Sequence, residues 1–245
     1  MHRHAGVLAG SPVALFALLL LAVPARADPG HFPGRAGSVG LEITSRWITA
    51  HRALTRSLSG DLWRSGVFLR TTTGSSAYAS SPAALLRGRD GGARVFASTV
   101  IGYQFVAARG SLWVALGAMS TAFSERRWRQ DWQAHALVRG VAAGLRGEAG
   151  FHLPLGAGFD LAGHVQAEAV DRAWSGSVQL ARKLGAVSAS IEVGGIGNRD
   201  FHEVRTGAGL SLRPLEAVSM RLAAGLGFSA RRRTPYVTLT TAWSY

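Results

Sequence analysis

Tyr236-Val237-Thr238-Leu239-Thr240-Thr241-Ala242-Trp243-Ser244-Tyr245 sets Val237, Leu239, Thr241, Trp243 and Tyr245 on one face of an extended chain. Thr238, Thr240, Ala242 and Ser244 fall on the other. Alternation every second residue belongs to a strand, because a helix returns to one face about every 3.6 residues. The same rhythm recurs upstream. Val218, Met220, Leu222, Ala224, Leu226 and Phe228 alternate with Ser219, Arg221, Ala223, Gly225, Gly227 and Ser229. Val204, Thr206, Ala208, Leu210 and Leu212 alternate with Arg205, Gly207, Gly209, Ser211 and Arg213, and Leu161, Val165 and Ala169 alternate with Asp160, His164, Gln166 and Glu168.

Strands of this kind are expected near 235–245, 216–229, 203–213, 186–197, 173–184, 157–170, 134–151, 111–122, 94–106 and 65–75, with a further segment over 38–57. They exceed the five or six residues usual in a globular sandwich, and match the roughly 9–11 that cross a bilayer at a tilt. One face carries Leu, Val, Phe and Trp, the other Gly, Ser, Thr, Arg and Glu, and 31 glycines recur through the chain. The pattern predicts an all-β fold: a transmembrane, antiparallel, up-and-down β-barrel over 38–245.

Turn character sets the strand count. Arg213-Pro214-Leu215, Lys183-Leu184-Gly185, Pro154-Leu155-Gly156 and Ala108-Arg109-Gly110 read as tight turns; Arg231-Arg232-Arg233, Asn198 to Glu203, Ser124 to Asp131 and Ser76 to Gly92 read as longer or more charged loops. Short turns belong on the periplasmic side and long loops outside. Counted back from Tyr245, the Gly60–Gly66 turn is periplasmic. A chain that starts in the periplasm then needs one more crossing, supplied by splitting 38–57 at about Ser45-Arg46. Twelve strands result, or ten if one early segment is not a full crossing.

The N-terminus reads as an export address. Arg3, flanked by His2 and His4, precedes an apolar run from Val13 to Val23, and Ala25-Arg26-Ala27 supplies small residues two apart. The run is shorter than the roughly 20 residues of a spanning helix, so a secretory signal peptide over 1–27 is expected, cleaved after Ala27 and followed by a short periplasmic segment over 28–37. The chain has no cysteine, so thiol chemistry and disulfides are excluded. Its net charge of +13 comes from Arg, with Lys183 the single lysine. Export argues against nucleic acid as a partner; lipopolysaccharide phosphates suit such charge better.

Candidate chemistry lies on the polar face: Arg70, Arg146, Glu148, Asp160, His164, Glu168, Glu192, Arg205, Arg213 and Arg221 are expected to line the lumen as paired charges or a polar channel. His202, with Asp200 and Glu203, is expected in a loop, and Arg231-Arg232-Arg233 at an outer loop tip. No G-x-S-x-G elbow or metal-ligand spacing occurs, so no catalytic residue, cofactor or metal is expected. Gly194-Gly195-Ile196-Gly197 belongs to a strand rather than a nucleotide loop. The aromatic end, Tyr245 preceded by Trp243, Leu239 and Val237, resembles the C-terminal signal read by the outer-membrane assembly machinery.

Several segments resemble one family. Ser59-Gly60-Asp61-Leu62-Trp63-Arg64-Ser65-Gly66-Val67-Phe68-Leu69-Arg70, Ile101-Gly102-Tyr103-Gln104-Phe105, and Gly40-Leu41-Glu42-Ile43-Thr44 ahead of the Gly60 turn carry the likeness. Ala173-Trp174-Ser175-Gly176, Gly194 to Asn198, and Val204-Arg205-Thr206-Gly207-Ala208 continue it. The pattern resembles that of the BcsS family, proteins associated with bacterial cellulose biosynthesis and known mainly in alphaproteobacteria. The stretch Ser124 to Asp131, rich in Arg and Trp, departs from it. The resemblance implies a non-enzymatic accessory to cellulose biosynthesis or secretion in a Gram-negative outer membrane, with cellulose synthase export components as partners. A small-solute channel and a lipid A-modifying hydrolase remain the alternatives.

Overall fold

The computed structural model describes residues 34–45, 47–79, 91–129, 134–199, 201–230 and 232–244. The expected signal peptide, Arg46, Asp200, Arg231 and Tyr245 lie outside them. Twelve antiparallel strands close into one barrel: β1 (Arg35–Thr44), β2 (Trp47–Ser57), β3 (Gly66–Ala79), β4 (Gly91–Ala107), β5 (Gly110–Arg129), β6 (Ala134–Gly156), β7 (Phe159–Glu168), β8 (Trp174–Leu184), β9 (Val187–Gly197), β10 (His202–Leu215), β11 (Val218–Ser229) and β12 (Arg232–Ser244). Each strand pairs with its sequence neighbours. β1 closes the ring on β12 in unbroken register from Ala36↔Ser244 to Thr44↔Tyr236. The segment 38–57 is indeed two strands, parted at residues 45–46.

Alternation assigns the faces. Ile101, Leu116, Ile191, Leu210 and Leu222 project outward and are each more than half exposed, an apolar belt that a soluble protein would not leave to water. Aromatic side chains flank the belt at both ends of the wall: Tyr103, Phe105, Phe151, Phe159 and Trp243 at one, Trp174 and Phe228 at the other. Such girdles place the apolar body of a ring in lipid and its edge at the headgroups. The two-residue turns 108–109, 157–158, 185–186 and 216–217 gather at one end, the end that faces the periplasm in outer-membrane barrels. Gly185 reaches φ 72° in the third of these, where a side chain would be strained.

Several boundaries differ from expectation. Pairing with β6 runs through 124–129 of β5, where a loop was expected, and pairing with β7 runs past a bulge through Pro154 to Gly156 of β6, where a turn was expected; neighbouring strands satisfy each other's backbone past the apolar belt. A bulge after Leu212 likewise carries β10 through Arg213-Pro214-Leu215, so the turn falls at 216–217. Arg232 and Arg233 belong to β12, paired with Ser229 and Phe228, so these two arginines stand in a strand and not in a loop. His202 and Glu203 open β10 instead of standing in a loop. The barrel begins at Arg35, three residues before the expected start.

Glycine lets this wall be narrow. Trp113 pairs directly with Gly150, Phe68 with Gly102, and Trp243 with Gly37. In each pair the ring lies where a Cβ would stand, about 2.5 Å from that position. The aromatic side chain is therefore laid flat along the neighbouring strand. Gly147, three residues before Gly150 and on the opposite face of β6, has nothing within 4 Å. Gly150→Leu should lower barrel stability by about 1–3 kcal/mol through displacement of Trp113, whereas Gly147→Ala should leave it unchanged. Urea midpoints of the two variants in detergent, with the heat-modifiable gel band as the measure of the folded barrel, check this.

Candidate functional site

The lumen-facing register gathers charge from almost every part of the wall. Arg70 on β3 reaches Glu148 on β6 at 2.9 Å, three strands around the ring. Arg146 bonds Glu148 at 2.6 Å through Nε and Glu168 at 3.0 Å through Nη1, and its Nη2 donates to Gln166 at 2.6 Å. Arg94 on β4 closes the group, pairing with Glu168 at 3.3 Å and with Asp171 at 3.6 Å. Arg146 and Glu148 are 4% and 8% exposed, so burial of their charge is tolerable only because each is fully partnered.

A second group occupies the facing wall. Arg205 pairs with Glu203 at 2.8 Å and with Glu42 at 3.0 Å, and Glu42 also accepts the Trp47 indole N–H at 2.8 Å. Arg221 pairs with Glu192, which accepts the Tyr236 hydroxyl at 2.8 Å. Arginine also stacks on rings: Arg70 lies 4.4 Å from the centre of Trp113, and Arg205 lies 5.1 Å from that of Tyr236. Five arginines thus meet five glutamates inside the described barrel, and several of the bonds cut across the lumen as chords.

The sequence-derived candidates divide accordingly. Arg70, Arg146, Glu148 and Glu168 sit in the first group; Glu192, Arg205 and Arg221 sit in the second. Asp160 stands apart at the periplasmic rim, 2.8 Å from Lys183 and 3.6 Å from His152. Arg213, also at that rim, is exposed and makes no ion pair among the described residues. His164 faces the lumen and contacts Ser177 Oγ at 3.3 Å. Sequence reasoning missed Arg94, Glu42 and Glu203. Glu42 was legible from the parity of β1, since it shares a face with Gly40 and Ser38; Glu203 was lost by placing it in a loop.

Between the first group and β1–β2 lies a chamber of about 340 Å³, bordered by Ser38, His51, Arg70, Trp113, Glu148 and His164. No cluster of three or more potential metal ligands occurs among the described residues.

No protein-family model matches the chain, and no curated protein matches it. Solved structures share its fold. The β domain of the Bordetella autotransporter Brka aligns with a TM-score of 0.57 at 12% identity, over 87% of this chain and 100% of that one. The translocator domain of the autotransporter NalP from Neisseria meningitidis gives 0.55 at 11% identity over 96% of each chain. The deltaS2S3 mutant of the monoaromatic hydrocarbon channel TodX gives 0.53 at 8%, over 86% of this chain and 90% of that one. Likeness at such identities is one of architecture: the chain has the fold of outer-membrane β-barrels, with twelve strands.

Arg146→Leu should destabilise the barrel by about 3 kcal/mol, the low end for breaking a buried ionic group, because Arg70 and Arg94 stay with the two glutamates. Glu148→Gln keeps an acceptor and should cost less. Urea unfolding followed by tryptophan fluorescence compares the two; equal losses would put packing, not charge, in control.

Proposed function

We propose that this barrel is a non-enzymatic accessory of cellulose secretion, acting in the outer membrane of a Gram-negative bacterium as an anchor or docking element for export components. The observation that carries the structural half of this reading is the pair of Arg–Glu groups spanning the lumen. A glucan strand in transit would have to displace those bonds and leave buried charge unpaired, at a cost of several kcal/mol. A docking role leaves them intact. The link to cellulose is supported by the resemblance of the Ser59–Arg70, Ile101–Phe105 and Val204–Ala208 segments to the BcsS family. Export by a cleaved signal peptide, and assembly guided by Val237, Leu239, Trp243 and Tyr245, belong to the same proposal, as does contact of Arg232 and Arg233 with lipopolysaccharide on the outer side.

The channel and hydrolase readings make opposite demands. Planar-bilayer recordings of the purified protein should show no unitary conductance, and steady openings would favour the channel. A fluorophosphonate probe should leave Ser177 unlabelled, and lipid A mass spectra should not change on deletion. Loss of the gene should reduce Congo red binding and biofilm formation. A genomic neighbourhood without a processive glycosyltransferase bearing a cyclic-dinucleotide-binding domain would remove the cellulose reading.

A further inference from the structure

Charge is distributed unevenly across the wall. Among the described side chains, every strand carboxylate from Glu42 to Glu203 lies on the lumen register. Five arginines break the outward pattern; Arg182 stacks on Phe159 at 5.4 Å and Arg233 on Phe228 at 6.0 Å, which leaves Arg35, Arg52 and Arg56. Arg35 and Arg56 stand directly opposite each other on β1 and β2 at the periplasmic end, both exposed. Arg52 follows on the same face of β2, four residues further into the belt and opposite Val39. Among the described residues none of the three has a carboxylate partner, and the nearby Asp61 is engaged by Arg64 at 3.3 Å.

Like charges placed directly across an antiparallel pair repel. An arginine one or two turns of the pleat inside an apolar belt is also costly unless an anion meets it. Two donors point to where that anion belongs. Arg52 Nε has no acceptor. Trp243, on the adjoining strand β12, lies with its indole across Gly37, is 5% exposed, and leaves its ring N–H without an acceptor. Gly37 sits between Trp243 and Leu54 in the register, one row from the Val39–Arg52 pair and one from the Arg35–Arg56 pair. The cations and the orphan N–H groups therefore share one patch, at the seam where the barrel closes.

We propose that the outward patch formed by Arg35, Arg52, Arg56 and Trp243 binds the phosphodiester headgroup of an anionic phospholipid of the periplasmic leaflet. Guanidinium groups grip phosphate oxygens by paired N–H donors, the headgroup of phosphatidylglycerol or cardiolipin brings the missing negative charge, and the exposed Leu54 offers apolar surface to the first acyl carbons. The site rests on the outer-membrane orientation given above, not on the cellulose role. It differs in depth and chemistry from any contact of Arg232 and Arg233, which lie at the opposite end of β12.

The test is native mass spectrometry of the full, detergent-purified barrel titrated separately with phosphatidylglycerol, cardiolipin, phosphatidylethanolamine and lipid A. Phosphatidylglycerol and cardiolipin should be retained at least about tenfold more than phosphatidylethanolamine. The triple variant Arg35→Gln, Arg52→Gln, Arg56→Gln should lose that preference, as about 1 kcal/mol per arginine implies. Arg232→Gln with Arg233→Gln should keep it. The heat-modifiable band reports folding in each, and Arg56→Gln alone, at an exposed rim position, should lose part of the preference should the triple variant fail to fold. Equal retention of anionic and zwitterionic phospholipid, or undiminished retention by folded variants, overturns the proposal. Tighter binding of lipid A than of phosphatidylglycerol through these arginines overturns it as well, by placing this rim in the outer leaflet. None of these outcomes bears on Congo red binding, so failure here and failure of the cellulose reading are distinguishable.

Discussion

A chain that crosses hydrocarbon by strands cannot leave a backbone N–H or C=O unpaired, and closure of β1 on β12 is what meets that demand. Every other feature follows from the closed ring. Once no edge remains within the belt, the side-chain period of two sorts the residues into lipid and lumen along each strand, up to the bulges near the ends of β6 and β10. Apolar side chains can then be spent on the outside, where Leu116 or Ile191 would be a liability in a soluble protein. The lumen inherits what lipid rejects. Its charge is tolerable because it is matched, arginine to glutamate, by bonds that also tie distant strands together.

The barrel is thus held twice, once by backbone ladders between neighbours and once by side-chain chords between non-neighbours. The ladders are local: β5 and β6 need only each other. The chords are not. Arg70 and Glu148 are separated by 78 residues, and Tyr236 and Glu192 by 44. Matched charge inside the ring therefore contributes to the shape of the cross-section as well as to its polarity. A purely apolar lumen of the same width would lack this directional bonding, and a purely cationic one would repel itself.

The architecture was legible because its signal is redundant. Val218 to Ser229 and Val204 to Arg213 each repeat the alternation five or six times, so single errors did not displace the faces, and the parity of turns back from the chain end demanded the split within 38–57. What was not legible came from places where alternation says nothing. Strand ends beyond the bilayer, as in 124–129, are set by the partner strand's length and not by apolar content. Glu203 reads as part of a polar loop because its neighbours Arg199, Asp200 and His202 are polar too; the bond to Arg205 that buries it links residues of one strand face and is visible only once the strand is known to start at His202. Partners among the lumen charges were beyond the sequence altogether, since period two fixes which face a side chain takes but not what stands across the ring.

The strands of this ring differ in length more than a level wall would require. β7 has 10 residues and β6 has 23, so β6 meets β7 only from Arg146 onward. Above that row the β5–β6 ribbon continues, and Ala134 to Ala143 have β5 as their one strand neighbour among the described residues. The outer mouth is therefore cut obliquely, like a quill. A quill has a bearing: among the described strands, whatever approaches from outside meets a tall side at the β5–β6 ribbon and a low side at β7 and β8.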